Sequence, residues 1–193
     1  MYIRYFQELN KKVLLTEDDQ ALIKKYLTIK KLRKKQYLLQ EGDVCKCVAF
    51  VEKGAMRLYR VNEDGSEHIV LFALDGSFVA DLYSFFTKEP STYNIDAIED
   101  SELVLITRSA SDELRKQSLK YQEFVLQATT EAYIQLERRI TSTISLSLEE
   151  RYKDLRASYP DIIQRIPQHM IASYMGLNPE TLSRVRKRIS INK

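Results

Sequence analysis

The chain has 193 residues, of which 44% are hydrophobic and 30% are charged, and its formal net charge at pH 7 is +3. A chain of this size can bury a hydrophobic core, and it has no apolar run of about 18 residues that could span a bilayer. The first residues, MYIRYFQELNKK, contain no apolar signal region, so we expect a cytoplasmic protein without a membrane partner. The two cysteines, Cys45 and Cys47, are too few for a disulfide framework or a four-ligand metal site, and no metal is expected.

The N-terminal region predicts helices followed by strands. Residues 1–30 have a helical pattern, because Thr16 and Asp19 show the spacing of a capping box and apolar residues then recur at helical intervals. From about residue 31 to 106 the pattern shortens to strands separated by turn signals. The predicted strands are YLLQ, CVAFVE, AMRLYRV, EHIVLFAL, TYNIDAI and ELVLIT. Strands of this length joined by hairpin turns predict an antiparallel barrel or roll.

A long helix is predicted after the strands, with few helix-breaking residues between Ser118 and Ser145. Its apolar stripe consists of Tyr121, Val125, Ala128, Ala132, Leu136 and Ile140. A helix of about 25 residues is about 37 Å long, which is more than a small roll can cover. We therefore expect a parallel homodimer with this stripe as its interface. The alternative is that the stripe packs on the roll of its own chain.

The C-terminal segment RIPQHMIASYMGLNPETLSRVRKRIS predicts two helices joined by a tight turn. Gly176 can adopt the left-handed backbone that the turn needs, and Asn178 can cap a second helix with Pro179 in its first turn. The inward positions are Ile171, Ala172, Tyr174, Leu182, Val185 and Ile189. The opposite face of the second helix presents polar and charged residues, namely Glu180, Ser183, Arg184, Lys187 and Arg188. This arrangement is typical of a helix-turn-helix whose second helix enters the major groove of DNA.

The distribution of charge favours the same interpretation. Residues 166–193 contain five basic residues against the single acid Glu180, a net charge of +4, so the other 165 residues sum to about −1. A basic patch in one short segment is expected of a nucleic-acid contact, because each neutralised phosphate releases counterions. A solvated basic tail is the alternative.

The order of a roll, a long helix and a helix-turn-helix resembles the Crp/Fnr family of bacterial transcription regulators over nearly the whole chain. The most specific motif is GLNPETLSR at residues 176–184, which is similar to the family's recognition-helix entry, a Glu-Thr pair followed three residues after the Thr by an Arg. The glycine-marked turns at 42–43, 53–54, 64–65 and 75–78 resemble those of a cyclic-nucleotide-binding roll.

This resemblance implies an α+β fold with three parts. An N-terminal antiparallel β-roll (a double-stranded β-helix, jelly-roll-like) with flanking helices would form a cyclic-nucleotide-binding-like sensor domain at 1–117. A long dimerisation helix would follow at 118–145, and a helical helix-turn-helix DNA-binding domain at 146–193.

The resemblance also implies partners and residue roles. The partners would be double-stranded DNA with a two-fold symmetric operator, a second copy of the chain, and RNA polymerase. Glu180 would accept a hydrogen bond from a cytosine amino group, Arg184 would bind a guanine or a phosphate, and Thr181 and Gln168 would hold phosphates. The family's usual Arg before the Glu-Thr pair is Pro179 here, so the half-site sequence cannot be transferred.

The candidate effector pocket comprises Asp81, Leu82, Ser91 and Thr92. Family members that bind cyclic AMP hold the ribose with a Gly-Glu pair and the cyclic phosphate with an Arg-Ser or Arg-Thr pair, for which this chain has Ala-Asp and Ser-Thr. Ser91 offers no positive charge to the phosphate, so cyclic AMP is not expected to bind unless Arg57 or Lys88 supplies one. No cofactor is expected, and a less anionic effector, or none, remains open.

Three other functions fit the sequence less well than a DNA-binding regulator. An iron–sulfur cluster needs about four thiolates, and haem ligation by His68 or His169 is less expected than a surface role for these histidines. A cupin-type metal enzyme needs several histidines inside the roll, where the chain has His68 alone, and no catalytic residue is identified. A ligand-binding or protein-interaction module without DNA binding is the third, and salt-dependent DNA binding would distinguish it.

Overall fold

The computed structural model describes residues 2–191. Its elements in chain order are α1 (Ile3–Lys12), α2 (Glu17–Lys24), β1 (Thr28–Leu32), β2 (Tyr37–Leu39), β3 (Cys47–Lys53), β4 (Ala55–Val61), β5 (Glu67–Leu74), β6 (Phe78–Val79), α3 (Leu82–Thr87), β7 (Asn94–Ala97), β8 (Ser101–Thr107), α4 (Arg108–Gln117), α5 (Leu119–Ser145), α6 (Leu148–Ser158), α7 (Ile162–Arg165), α8 (Gln168–Met175) and α9 (Pro179–Ile191).

The strands form two four-stranded sheets whose paired strands are all antiparallel. The first sheet has the order β1-β8-β3-β6, and the second has the order β2-β7-β4-β5. Apolar residues of both sheets, among them Val51 and Leu103 from the first and Met56 and Leu58 from the second, share one buried cluster between them. The predicted antiparallel roll is confirmed, and it is not a closed barrel.

Three short elements depart from the sequence-based prediction. β1 occupies 28–32 where a helix was expected up to residue 30, while β6 and α3 were not predicted. The strand β1 has a weak strand pattern of its own, and its conformation depends on pairing with β8, including an ion pair of 2.6 Å between Lys31 and Glu102. Tertiary pairing of this kind overrides local propensity.

The N-terminal helices pack on the outer face of the first sheet. The predicted capping box is confirmed, because Thr16 Oγ1 accepts from the Asp19 N–H at 3.2 Å and Asp19 Oδ2 accepts from the Thr16 N–H at 2.7 Å. The buried carboxylate of Glu52 accepts hydrogen bonds from the N–H groups of Arg4 and Tyr5 at 2.9 and 3.0 Å. Two otherwise unpaired N–H groups of the first turn of α1 are thereby satisfied by a strand of the roll.

The first half of α5 packs on its own chain. Ser118 caps this helix, since its Oγ accepts from the Tyr121 N–H at 3.1 Å. Tyr121 is 2% exposed in a cluster with α1, α2 and the first sheet, and Val125 and Ala128 pack against the same cluster. The prediction that Tyr121 lies in a dimer interface is therefore wrong, and Val125 and Ala128 face the same way. The N-terminal helices supply the partner that the sequence-based argument assigned to a second chain.

The second half of α5 carries an exposed apolar stripe. Ala132 and Leu136 of the predicted interface are exposed there. Seven large apolar side chains are exposed along the helix, and apart from Leu119 in its first turn and Ile134 they are Leu126, Tyr133, Leu136, Ile140 and Ile144. We call these five residues the α5 stripe. Its members recur at intervals of seven, three, four and four, so they lie along one face of the helix.

The C-terminal helices cover the outer face of the second sheet. Side chains of α6, α7, α8 and α9 form one buried cluster with residues of β4 and β5, including Tyr59, Phe72 and Leu74. Within residues 2–191 no helix is both long and apolar enough to cross a membrane.

Candidate nucleic-acid interface

The turn between α8 and α9 has the geometry that the sequence predicts. Gly176 has a φ of 69°, in the left-handed region, and the Leu177 N–H donates to the Ala172 carbonyl at 2.8 Å, which closes the end of α8. Asn178 Oδ1 accepts from the Thr181 N–H at 2.8 Å and so caps α9. Pro167 precedes α8 as its N-cap residue, one position before the first helical position expected for it.

The two helices cross through small and apolar side chains. Ala172 of α8 and Leu182 of α9 are both 0% exposed. The other inward residues behave as predicted, with Ile171 and Val185 buried and Ile189 partly buried. Tyr174 differs, because its ring contacts Phe72 of β5 at a centroid distance of 5.2 Å, with the two rings tilted by 37°, and so faces the roll. The two helices of the helix-turn-helix therefore share one buried core, which also contacts the second sheet.

The face of α9 opposite this core is open to solvent. Its exposed side chains are Glu180, Ser183, Arg184, Lys187 and Arg188, and Thr181 is half-buried. Gln168 is exposed at the start of α8. All seven residues predicted to contact DNA thus lie in the same two-helix unit, and their individual roles remain predictions.

The basic side chains of this face differ in their partners. Arg188 forms an ion pair with Glu149 of α6, at 3.1 Å between Nη1 and Oε1. A hydrogen bond from its own backbone N–H and the ion pair with Arg188 lower the pKa of Glu149. Among residues 2–191, Arg184 and Lys187 form no ion pair. These two cations can bind an anion without first breaking an intramolecular contact.

The sequence-based prediction missed Arg186. This residue lies at the edge of the exposed face, and its Nη1 donates to Gln168 Oε1 at 3.1 Å. The two side chains line a cavity of about 390 Å³ together with residues of α7 and the start of α8. The signal was present in the sequence, because Arg186 follows Ser183 by three positions and therefore borders the same face. Glu149 had no such signal, since it reaches Arg188 from another helix.

The candidate effector pocket is closed on itself by hydrogen bonds. Ser91, which is 3% exposed, donates from Oγ to Asp81 Oδ2 at 2.7 Å, and Asp81 Oδ1 accepts from the Ser84 N–H at 3.3 Å as the cap of α3. The structure thus brings Asp81 and Ser91 together, whereas Leu82 and Thr92 are exposed. The positions expected to hold a ribose and a phosphate bind each other.

Neither of the two cations considered for this pocket stands beside Ser91. Along β4, Met56 and Leu58 point into the roll, so Arg57 points to the outer face of the second sheet. There its Nε donates to Asp96 Oδ1 at 2.7 Å, and a second ion pair joins it to Glu67. Lys88 is exposed at the end of α3. Arg57 therefore lies outside the pocket, paired with Asp96 and Glu67.

The described part of the chain offers no grouped ligands for the metal-binding alternatives. Within residues 2–191, no three or more His, Cys, Asp or Glu side chains are arranged so that they could hold a metal ion. The two cysteines are free thiols, and burial raises the pKa of Cys45 and raises that of Cys47 to about 11. Both thiols are therefore protonated at neutral pH.

Comparison with known proteins identifies the roll. Residues 29–118 match the family described as the cyclic nucleotide-binding domain. The structure of FixK2 from Bradyrhizobium japonicum superposes with a TM-score of 0.70 at 20% identity, covering 86% of this chain and 85% of that chain. A transcriptional regulator of the Crp/Fnr family from Eubacterium rectale superposes with a TM-score of 0.67 at 17% identity, covering 92% of this chain and 85% of that chain. These two likenesses concern the fold.

Sequence relatives extend the similarity beyond the roll. The transcriptional activator protein Anr from Pseudomonas protegens is 24% identical over 173 residues, which are 84% of this chain and 70% of that protein. The neuropathy target esterase sws from Drosophila erecta is 28% identical over 119 residues, 58% of this chain. The chain spans 8% of that esterase's length, so this second similarity concerns a small part of a much longer protein.

Proposed function

We propose that the chain is a transcriptional regulator of the Crp/Fnr type and that it binds double-stranded DNA as a homodimer at a two-fold symmetric operator. The proposal is supported by the cyclic nucleotide-binding domain match at residues 29–118, the similarity to Anr and the fold shared with FixK2. The proposed division is a sensor domain at 1–117, a dimerisation helix at 118–145 and a DNA-binding domain at 146–193. As a regulator it would act in the cytoplasm, contact RNA polymerase and carry out no catalysis.

One observation carries the proposal of DNA binding. The helix α9 has a capped N-terminus, a buried apolar face and an exposed face on which Arg184 and Lys187 have no intramolecular ion pair within the described residues. A helix of this kind can lie in the major groove with side chains near its N-terminus on base edges and later ones on the backbone.

The α5 stripe supports the proposed homodimer. Five large apolar side chains at near-heptad spacing are exposed on a 27-residue helix, and such a stripe is normally covered by another helix. A second copy presents the same stripe across a two-fold axis, which matches the symmetry of a two-fold operator. The proposed seam is therefore the α5 stripe in place of the residues from Tyr121 to Ala128.

We further propose that cyclic AMP is not the effector. The hydrogen bond between Ser91 and Asp81 occupies the place where the family pattern has a ribose contact and a phosphate contact. A cyclic phosphate there would meet a carboxylate and a hydroxyl, with no cation, so its desolvation would be uncompensated.

Selection of bound duplexes from a random pool tests the proposal. We expect a two-fold symmetric consensus, and an affinity that falls steeply with salt, because several phosphates are neutralised on binding. No enrichment of any duplex, together with no salt-dependent binding to DNA, would favour the alternative of a ligand-binding or protein-interaction module.

A further inference from the structure

The DNA-binding unit sits directly on the edge strand of the roll. Ser173 of α8 accepts a hydrogen bond from the Ile69 N–H at 3.0 Å and donates to the Glu67 carbonyl at 2.6 Å, so its hydroxyl caps two free backbone groups of β5. Beside it, the guanidinium of Arg139 in α5 donates to the carbonyls of Val70 and Tyr174. The edge of the second sheet is thus paired with α8 and α5 instead of with water.

Arg165 makes a second and more extensive link. It is the last residue of α7, and its guanidinium contacts three separate segments of the roll. It donates to Asp75 Oδ2 at 2.9 Å, to the Gly54 carbonyl at 2.8 Å and to the carboxylate of Glu99. Asp75 Oδ1 in turn accepts from the Gly54 N–H at 2.6 Å, so the two turns and Arg165 form a closed network.

The turn that contains Gly54 cannot easily move. Its φ is 118°, and a Cβ at this position would lie 2.2 Å from Ser101 Oγ, which shows how closely the turn packs on β8. The carbonyl that Arg165 binds is therefore held in place by the roll, and a planar guanidinium that donates to this carbonyl and to two carboxylates is restricted in its orientation.

A shared core joins this link to α9. Ile162 and Ile166, on either side of Arg165 in the chain, lie in the same buried cluster as Phe72 of the roll and Leu182 of α9. Because that core is close-packed, a displacement at Arg165 would carry α8 and α9 with it.

We propose that Arg165 is a positioning residue that sets the location of the recognition helix α9 relative to the roll. This inference rests on the proposed function, because a dimer reads a two-fold operator only when its two recognition helices are held about one turn of DNA apart. A substitution or movement of Gly54, Asp75 or Glu99 in the roll would shift α9 through Arg165. DNA binding would then change although none of these residues touches DNA.

The test compares Arg165→Gln with Arg156→Gln in the full chain. Arg156 is an exposed arginine of α6 that forms no ion pair among the described residues, so it controls for the loss of one positive charge. Two quantities are measured: hydrogen exchange of the Ile69 amide, which reports seating of α8 on β5, and affinity for the selected operator and for random duplex.

We expect Arg165→Gln to speed Ile69 exchange and to weaken operator binding, each on the order of tenfold, with little change on random duplex. Arg156→Gln should leave Ile69 exchange unchanged. Arg165→Lys should show smaller increases in exchange and smaller losses of operator affinity than Arg165→Gln, because one hydrogen-bonding cation remains. Far-UV circular dichroism checks that each variant folds, and Glu99→Gln serves as the milder variant if Arg165→Gln does not.

Three results would overturn the inference: no change in either quantity, faster exchange with unchanged operator affinity, or weaker operator binding with unchanged exchange. If the unmodified protein does not bind duplex DNA, the proposed function fails, and the exchange measurement alone then decides whether Arg165 seats the unit on the roll.

Discussion

The cations of α9 are not equivalent, because some already have partners within the chain. Arg188 is paired with Glu149 and Arg186 with Gln168, whereas Arg184 and Lys187 form no ion pair among residues 2–191. Arg184 lies one turn after Glu180, where a planar guanidinium can reach a base edge. Lys187 lies further along the helix, where a point charge meets the phosphate backbone.

The first prediction separates base reading from charge attraction. Arg184→Ala should cost about 1–3 kcal/mol on the selected operator and much less on random duplex, whereas Lys187→Ala should weaken both equally and reduce the salt slope by about one. Titrations at several salt concentrations measure both quantities. An equal loss on both duplexes for Arg184→Ala would make this residue a phosphate contact.

The second prediction concerns the acid that competes with DNA. Glu149→Gln releases Arg188 and removes a negative charge beside α9, so DNA affinity should rise by about a few-fold, because an exposed ion pair is weak and easily exchanged for a phosphate contact. The control is Glu123→Gln, which removes an exposed acid near the start of α5. Weaker binding of the Glu149→Gln variant would indicate that the ion pair orients Arg188 for its phosphate.

The third prediction tests the effector pocket. Cyclic AMP at about 100 µM should give no calorimetric heat, because Ser91 offers no cation to its phosphate. It should also leave the melting temperature unchanged, since only a ligand that binds the folded state stabilises it. Both measurements are made on the unmodified protein. A saturable signal at micromolar concentrations would mean that this hydrogen bond opens and that a cation from elsewhere reaches the phosphate.

At the scale of single elements, two helices depend on features that can be tested separately. The helix α9 depends on its cap, because Asn178 satisfies one of the unpaired N–H groups of its first turn. The helix α5 depends on two different partners, since its first half packs on its own chain and its second half exposes the α5 stripe.

The fourth prediction concerns the cap. Asn178→Ala should lower the free energy of unfolding by about 1 kcal/mol, and Asn178→Ser should retain most of it, because a serine oxygen can accept the same hydrogen bond. Urea unfolding followed by circular dichroism measures the difference. Equal losses for both substitutions would show that the Asn178 side chain stabilises α9 by some other contact.

The fifth prediction concerns the dimer. Tyr133→Glu combined with Ile140→Glu should yield monomers in sedimentation, because like charges would face each other across the α5 stripe. Gln135→Glu adds a charge to an exposed position on the opposite side of the same helix and should leave the dimer intact. A dimer that survives the double substitution would place the interface elsewhere.

For the whole molecule, the shared cluster has a consequence for stability. Residues of the second sheet and of α6 to α9 bury one another, so the roll and the DNA-binding unit should unfold together. Phe72→Ala should cost about 3–5 kcal/mol and lower the midpoint of a single urea transition. Phe86→Ala, the same change at a half-exposed ring, should cost far less. Two separate transitions in the unmodified protein would contradict a common core.

Local patterns in the sequence determined most of the elements. The Thr16 capping box, the limits of α5 from Ser118 to Ser145, and the Gly176 turn with its Asn178 cap all follow from short-range hydrogen bonds and backbone preferences. The exposed face of α9 also follows from spacing alone, because residues three and four apart share a face of any helix.

Only the tertiary structure decided which partner each surface meets. The sequence shows that Tyr121 and Tyr133 are both apolar positions of α5, but the first is buried by α1 and α2 while the second is exposed. Likewise, no local pattern pairs Arg188 with Glu149 or Arg165 with Gly54, Asp75 and Glu99, because these contacts join segments far apart in the chain. Helical periodicity specifies a face, and only the packed fold specifies what covers it.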